Sequence, residues 1–258
     1  MCLILLAWHS HPDFPLVVAA NRDEFFARPT APAAFWPEAS SVLAGRDLEA
    51  GGSWMGVTRD LRFAALTNYR SPHDHQASRP SRGRLVADFL LGGTKPMEYL
   101  AAAEAYGRAC NGYNLLVGDG DALLCHSNVS GTTHELRPGV YGLSNHLLDT
   151  PWPKVSLGRT ALEAALSSLP DTRPLFALLA DSSTHPDHRL PQTGVPIEWE
   201  RLLSAAFIRS SDYGTRSSTV MLHGADGTVS YDEQTWLRGA QRGMRRRFRF
   251  RSSRAGPR

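Results

Sequence analysis

Much that a chain of 258 residues commonly carries is missing here. No apolar run approaches the ~18 residues that a membrane-spanning helix needs. The opening apolar run is short and lacks a basic leader, so it is not expected to act as a secretory signal, and the expected location is cytoplasmic. Cysteine is scarce: Cys2, Cys110 and Cys125 show no CxxC spacing, which argues for reduced thiols rather than a disulfide framework. The glycine pairs Gly51-Gly52 and Gly92-Gly93 lack the spacing of a dinucleotide or phosphate loop. Lysine is nearly absent, Lys95 and Lys154 being the only two among 28 basic residues. No segment repeats.

Acid is missing from one stretch. Residues 242–258 hold eight arginines and no Asp or Glu, which leaves the rest of the chain with 20 basic against 25 acidic residues. Within it, Arg246-Arg247-Phe248-Arg249-Phe250-Arg251 alternates with period two and predicts a terminal edge strand with Phe248 and Phe250 inward. The expected organisation is one domain over 1–241, followed by an arginine-rich strand and tail over 242–258 that is partly disordered. A basic tail can bind nucleic acid or an anionic membrane surface. The edge strand is the simpler role, and no nucleic-acid partner is expected. Hydrophobic content of 42% with 21% charged residues is that of an ordinary globular protein.

The chemistry is concentrated in the first two dozen residues. Leu3–Trp8 and Leu16–Ala20 read as strands joined by a polar turn, and the second runs into Asn21-Arg22-Asp23-Glu24. Removal of Met1 before the small Cys2 is expected, and it exposes an α-amine of ordinary pKa ~7.7–8.0 that can accept the thiol proton. Cys2 then supplies nucleophile and base together. From the first strand alone, a small buried hydrophobe is the commoner role for such a cysteine. Alternation places Asn21 and Asp23 on one face and Arg22 and Glu24 on the other. An Asp23 beside Cys2 would orient the amine; solvated charges at a strand end are the alternative.

Farther along, residues 31–52 are rich in Pro, Ala, Ser and Gly and read as a long irregular loop. Trp54–Thr58 and Arg62–Thr67 predict a hairpin around Arg59-Asp60. Residues 70–81 read as an exposed loop. Helices are expected over Arg84–Leu91, Pro96–Arg108, Pro153–Leu169, Leu175–Ala180 and Glu198–Ser204. Strands are expected over Tyr113–Val117, Ala122–His126, His134–Arg137 and Val140–Leu143, with a last hairpin of Arg216–Leu222 and Thr228–Tyr231. Strand one is apolar on both faces, as a strand covered on each side should be. The close pairs His9/His11, His73/His75 and His185/His188 all fall in turn-like stretches, and no metal site is expected from them.

Asn21-Arg22-Asp23-Glu24-Phe25 with Arg28-Pro29-Thr30 resembles the signature of the NRDE family, also called the transport and Golgi organisation family. The resemblance continues through residues 43–48, Gly51-Gly52-Ser53-Trp54-Met55-Gly56-Val57-Thr58, Ala65-Leu66-Thr67-Asn68-Tyr69-Arg70, residues 113–118, Tyr141–Asn145 with Pro151-Trp152-Pro153-Lys154-Val155, and Thr215–Val220. It implies an α+β fold, a four-layer αββα sandwich of the N-terminal-nucleophile hydrolase type. The overall order is also distantly similar to choloylglycine hydrolase and penicillin V acylase. Carried over, this implies Cys2 as nucleophile, Asp23 as the orienting carboxylate, Asn145 as the oxyanion asparagine and Arg216 as the late arginine. Asn21, Arg22, Glu24, Trp54 and Asn68 are the expected ligand contacts.

One departure matters. The acylases separate their Arg and Asp by two residues, whereas Arg22 and Asp23 are adjacent. In an unbulged strand Asn21 and Asp23 would line the Cys2 pocket, while Arg22 would organise the loop holding Asp47 or bind an anionic ligand from the other side. The resemblance implies an amidohydrolase cutting a carbon–nitrogen amide bond of a small or acylated molecule. Its alternative is a non-catalytic protein that binds and traffics haem or acyl-CoA in lipid metabolism. No cofactor is required. Haem, as a transported ligand, would be held noncovalently through His or Cys2, since no CxxCH motif exists.

Overall fold

The computed structural model describes residues 2–254. Two antiparallel sheets lie face to face. The first contains, in spatial order, β10 (Gly139–Leu143), β1 (Cys2–Trp8), β2 (Leu16–Phe25), β11 (Tyr213–His223), β12 (Thr228–Leu237) and β13 (Gln241–Arg251). The second is a seven-stranded meander in chain order: β3 (Thr30–Trp36), β4 (Ala39–Asp47), β5 (Met55–Thr58), β6 (Phe63–Asn68), β7 (Tyr113–Gly118), β8 (Leu123–Ser127) and β9 (Thr132–Glu135).

The alternation of β1 explains the layering. Ile4, Leu6 and Trp8 join Val18, Leu43, Phe63, Leu116 and Met221 in the core between the sheets. Leu3, Leu5 and Ala7 face outward and are buried under α3 (Pro153–Leu166) and α4 (Arg173–Leu179). On the far side, α1 (Gly83–Leu91) covers the second sheet through Leu85, Phe89 and Leu90, and α2 (Pro96–Ala109) packs on the same core through Tyr99, Leu100 and Tyr106. A short α5 (Ile197–Leu203) closes one end around Leu203, Ile208 and Tyr213. The result is the expected four-layer αββα sandwich. A large side chain buried this way contributes on the order of 1.5–3 kcal/mol.

Two expectations are corrected. Residues 31–52 are not a loop: they supply most of β3 and β4. Pro32 is tolerated because β3 is an edge strand and its pairing shifts register between Ala31 and Ala34. The strands of the last hairpin are longer than their apolar cores, reaching back to Tyr213 and on to Leu237. The Arg59-Asp60 turn closes with Leu61 at φ 69°, the left-handed region that glycine normally fills. As expected, Phe248 and Phe250 turn inward, packing edge-on against Phe35 at 5.8 and 5.6 Å. The expected disorder of the tail's end falls on residues 255–258, outside the described residues.

Candidate active site

The site lies where β1 begins and β2 ends. Cys2 pairs with Arg22, and Arg22 pairs with Ser217 of β11. Cross-strand partners share a face, so Cys2, Arg22 and Ser217 all sit on the inner side with Ile4. Asn21 and Asp23 point the other way, toward the helix layer of α3 and α4. The expectation that Asn21 and Asp23 line the Cys2 pocket without Arg22 is corrected: Arg22 borders it together with Asn21, and Asp23 does not. The reason is register: β2 is continuous here, and the bulge falls on β11, between Thr215 and Ser217. A bulge re-aims the side chains beside it, and both Arg216 and Ser217 border the same cavity as Arg22.

Asp23 reaches the thiol through its backbone instead. Burial, and after it the Asp23 charge, push the thiol up from its ordinary pKa, while the Asp23 main chain favours the thiolate. The Asp23 carboxyl is 1% exposed, and its Oδ1 accepts the Thr215 hydroxyl at 2.7 Å. Burial raises its pKa, and the charge of Lys154 is the leading influence against that rise. Lys154 opens α3, is 4% exposed, and has an Nζ with no hydrogen-bond partner. Burial lowers its pKa to about 8, against the pull of Asp23. The Tyr213 hydroxyl donates to the Asp23 carbonyl at 3.1 Å. Beside this cluster Arg70 and Glu200 form a buried ion pair at 2.5 Å, and Glu200 also accepts the Thr193 N–H and hydroxyl.

The remaining expected residues divide into two groups. Asn145 is fully buried behind the thiol: its Nδ2 donates to the Asn68 carbonyl at 2.9 Å, and Ser144 links it to the strand through the Cys2 carbonyl at 2.9 Å. Asn68 thus contributes a main-chain oxygen. Asn21 clamps the helix layer, donating to the carbonyls of Leu179 and Ala206 at 2.8 Å each and accepting from Ser218. Arg22 lies 4.3 Å over the Trp54 ring and 4.0 Å from Glu24. Gly45 makes room for that indole, because a Cβ there would fall 2.1 Å from it. Arg216 donates to the carbonyls of Phe25 and Arg28, holding the turn after β2 on the Arg22 side. Arg22 does not organise Asp47; Arg28 does, at 2.7 Å. His9, His73, His75 and His188 are exposed, with His11 and His185 half-buried at the surface.

Sequence reasoning assigned no role to Lys154, Arg70, Glu200 or Tyr213. Lys154 carried the one available signal, a rare lysine opening an apolar helix in an arginine-rich chain. Glu200 carried none, since its burial depends on how α5 closes the end of the sandwich.

Fold and site together define a class: an αββα sandwich with a cysteine heading an inner strand and a buried carboxyl–lysine pair behind it. Comparison with known proteins narrows this to a family. The profile of the family described as Transport and Golgi organisation 2 matches residues 1–238. The Transport and Golgi organization protein 2 homolog of Bos taurus is 37% identical over 261 residues, covering 92% of this chain and 94% of that protein. The Homo sapiens homolog is 36% identical over 262 residues with the same coverage. Among solved structures, the chain is similar to a Caenorhabditis elegans N-acylethanolamine-hydrolyzing acid amidase ortholog, with 11% identity, a TM-score of 0.47, and 86% of this chain and 92% of that one covered. The chain belongs to the Transport and Golgi organisation 2 (NRDE) family.

Proposed function

We propose that this protein is an amide hydrolase with Cys2 as its nucleophile, acting on a small or acylated molecule. The observation that carries the reading is the placement of Cys2 at the head of β1, paired with Arg22 and held by Ser144 through its carbonyl, with the buried Asp23 carboxyl and Lys154 on the neighbouring elements. Burial holds the thiol protonated, so attack needs a base, and the α-amine freed by removal of Met1 is adjacent by construction. Sulfur bonds to the amide carbon as its proton passes to that amine. The oxygen of the tetrahedral intermediate takes a hydrogen bond from the second Nδ2–H of Asn145, the first being held by the Asn68 carbonyl, a contribution of about 3–4 kcal/mol for such donors. The carbon–nitrogen bond breaks as the ammonium returns its proton to the leaving nitrogen, and water then hydrolyses the thioester. Asp23 holds and orients the amine throughout.

Intact-mass measurement with a thiol alkylator under native conditions tests this first. Loss of Met1 with rapid alkylation at Cys2 is the expected result; a retained Met1 leaves an amide nitrogen that cannot act as base and ends the proposal. Cys2→Ala is then expected to abolish amide turnover without unfolding the protein. Binding of haem or acyl-CoA that survives Cys2→Ala, with no amide cleaved by the wild type, would instead identify a carrier.

A further inference from the structure

A cavity of about 350 Å³ opens beside the Cys2 pocket, and Arg22 and Trp54 line both. Its size is at the lower end of small-molecule sites, ~300–1,000 Å³. One wall is apolar: Pro32, Trp54, Trp236 and, at the exposed rim, Leu237 and Met244. Trp236 is fixed by its indole N–H, which donates to Ser218 at 2.9 Å, and by an edge-on contact with Phe207.

The other wall is polar and incompletely satisfied. Glu233 is fully buried; its Oε1 accepts the Ala33 N–H at 2.7 Å, while its Oε2 has no hydrogen-bond partner. Ser217, 4% exposed, likewise has a buried hydroxyl without a partner. Two such atoms on one cavity wall are costly to leave unpaired, on the order of 1–3 kcal/mol each, and mark where a ligand's polar atoms belong. Two guanidiniums stand beside them. Arg22 and Arg216 are close enough to repel one another, and burial and that repulsion both lower the Arg216 pKa. A bound anion would relieve that repulsion.

We propose that this cavity binds a small molecule with an apolar body and one carboxylate. The body lies between Trp54 and Trp236, and the carboxylate sits against Ser217, Arg216 and the carboxyl of Glu233. As a statement about binding this stands alone. As a statement about substrate it rests on the Cys2 reading, and it then specifies an amide that bears a carboxylate at a distance from the scissile bond.

Glu233 supplies the distinguishing readout. Burial raises its pKa to about 7, against the Ala33 N–H, Arg22 and Arg246. The arginines facing it keep their charge, and Tyr231 is neutral, its pKa raised by burial. If only the protonated form binds the anion, affinity falls about ten-fold between pH 6 and pH 8 as the competent fraction shrinks.

The test is calorimetric titration of the full chain with 4-phenylbutyrate and its neutral analogue 4-phenylbutanol. Expected are one site, at least about ten-fold preference for the carboxylate, and about ten-fold weaker binding at pH 8 than at pH 6. Glu233→Gln, which donates at every pH, should remove that pH dependence. Met244→Glu, an exposed rim change, should weaken the carboxylate and spare the alcohol. Equal binding of the two probes, or a pH profile unaltered by Glu233→Gln, overturns the proposal. An enzyme that turns over amides yet fails this titration overturns the cavity proposal alone. Binding as described with Met1 retained overturns the hydrolase reading alone.

Discussion

The two faces of β2 do opposite things within three residues. On the outer face Asn21 and Asp23 are closed in: every polar atom of Asn21's side chain meets a helix-layer carbonyl or Ser218, and Asp23 sits among Thr215, Tyr213 and Lys154. On the inner face Arg22 borders open space, stacked on Trp54 beside a cavity with unpaired polar groups. A strand's period of two lets one tetrapeptide serve both sides. The outer side sets charge and geometry behind the thiol, and the inner side meets the ligand.

That division can be broken from either face. The largest effect is expected at the closed end: Glu200→Gln removes the negative charge facing the buried Arg70 guanidinium, a loss of about 3–5 kcal/mol in urea unfolding. A loss under about 1 kcal/mol would show the pair to be solvated rather than sealed. Next is pH at the inner face. Glu233 is protonated more readily in the folded chain than in the unfolded one, about 7 against an ordinary 4.5, so the stability it contributes is full below pH 4.5 and is lost as pH rises through 7. The change is about 3 kcal/mol at most, and Glu233→Gln should flatten it in urea titrations at pH 5 and pH 8.

Lys154 has the opposite sense on the outer face. Its folded pKa is about 8 against an ordinary 10.5, so between those values the unfolded chain holds the extra proton and stability rises with pH. Lys154→Met removes that rise. A double-mutant cycle with Asp23→Asn should give a coupling of about 0.5–3 kcal/mol; zero coupling would mean that the two do not act on each other. Smallest is Arg22→Lys, which keeps the charge and loses the stacking on Trp54, about 1–2 kcal/mol. Its stability cost should be accompanied by weaker 4-phenylbutyrate binding, whereas Lys154→Met should leave that binding intact. A result with those roles exchanged would dissolve the distinction between the faces.

Much of this was legible beforehand. The apolar alternation of β1 announced a strand buried on both sides, and Leu3 and Ile4 do fall in different cores. The inward Phe248 and Phe250 followed from period two alone. The hidden strands β3 and β4 were not legible, because Pro32, Gly45 and runs of Ala and Ser carry weak strand signals that only pairing overrides. The sides of Arg22 and Asp23 were misassigned for a related reason: alternation tells that they differ, and only the β1–β2 register tells which one Cys2 accompanies.

The local pattern by itself determined the elements that face a core and the cluster at the end of β2, since burial and period are properties of a short stretch. Tertiary structure alone decided which charges meet. Lys154 comes to Asp23 from the first turn of a helix, Glu200 to Arg70 from another, and Glu233 to Arg22 from a strand two places away in the sheet. Long-range contacts of this kind depend on register and on the β11 bulge, and a one-residue shift in either would exchange the faces.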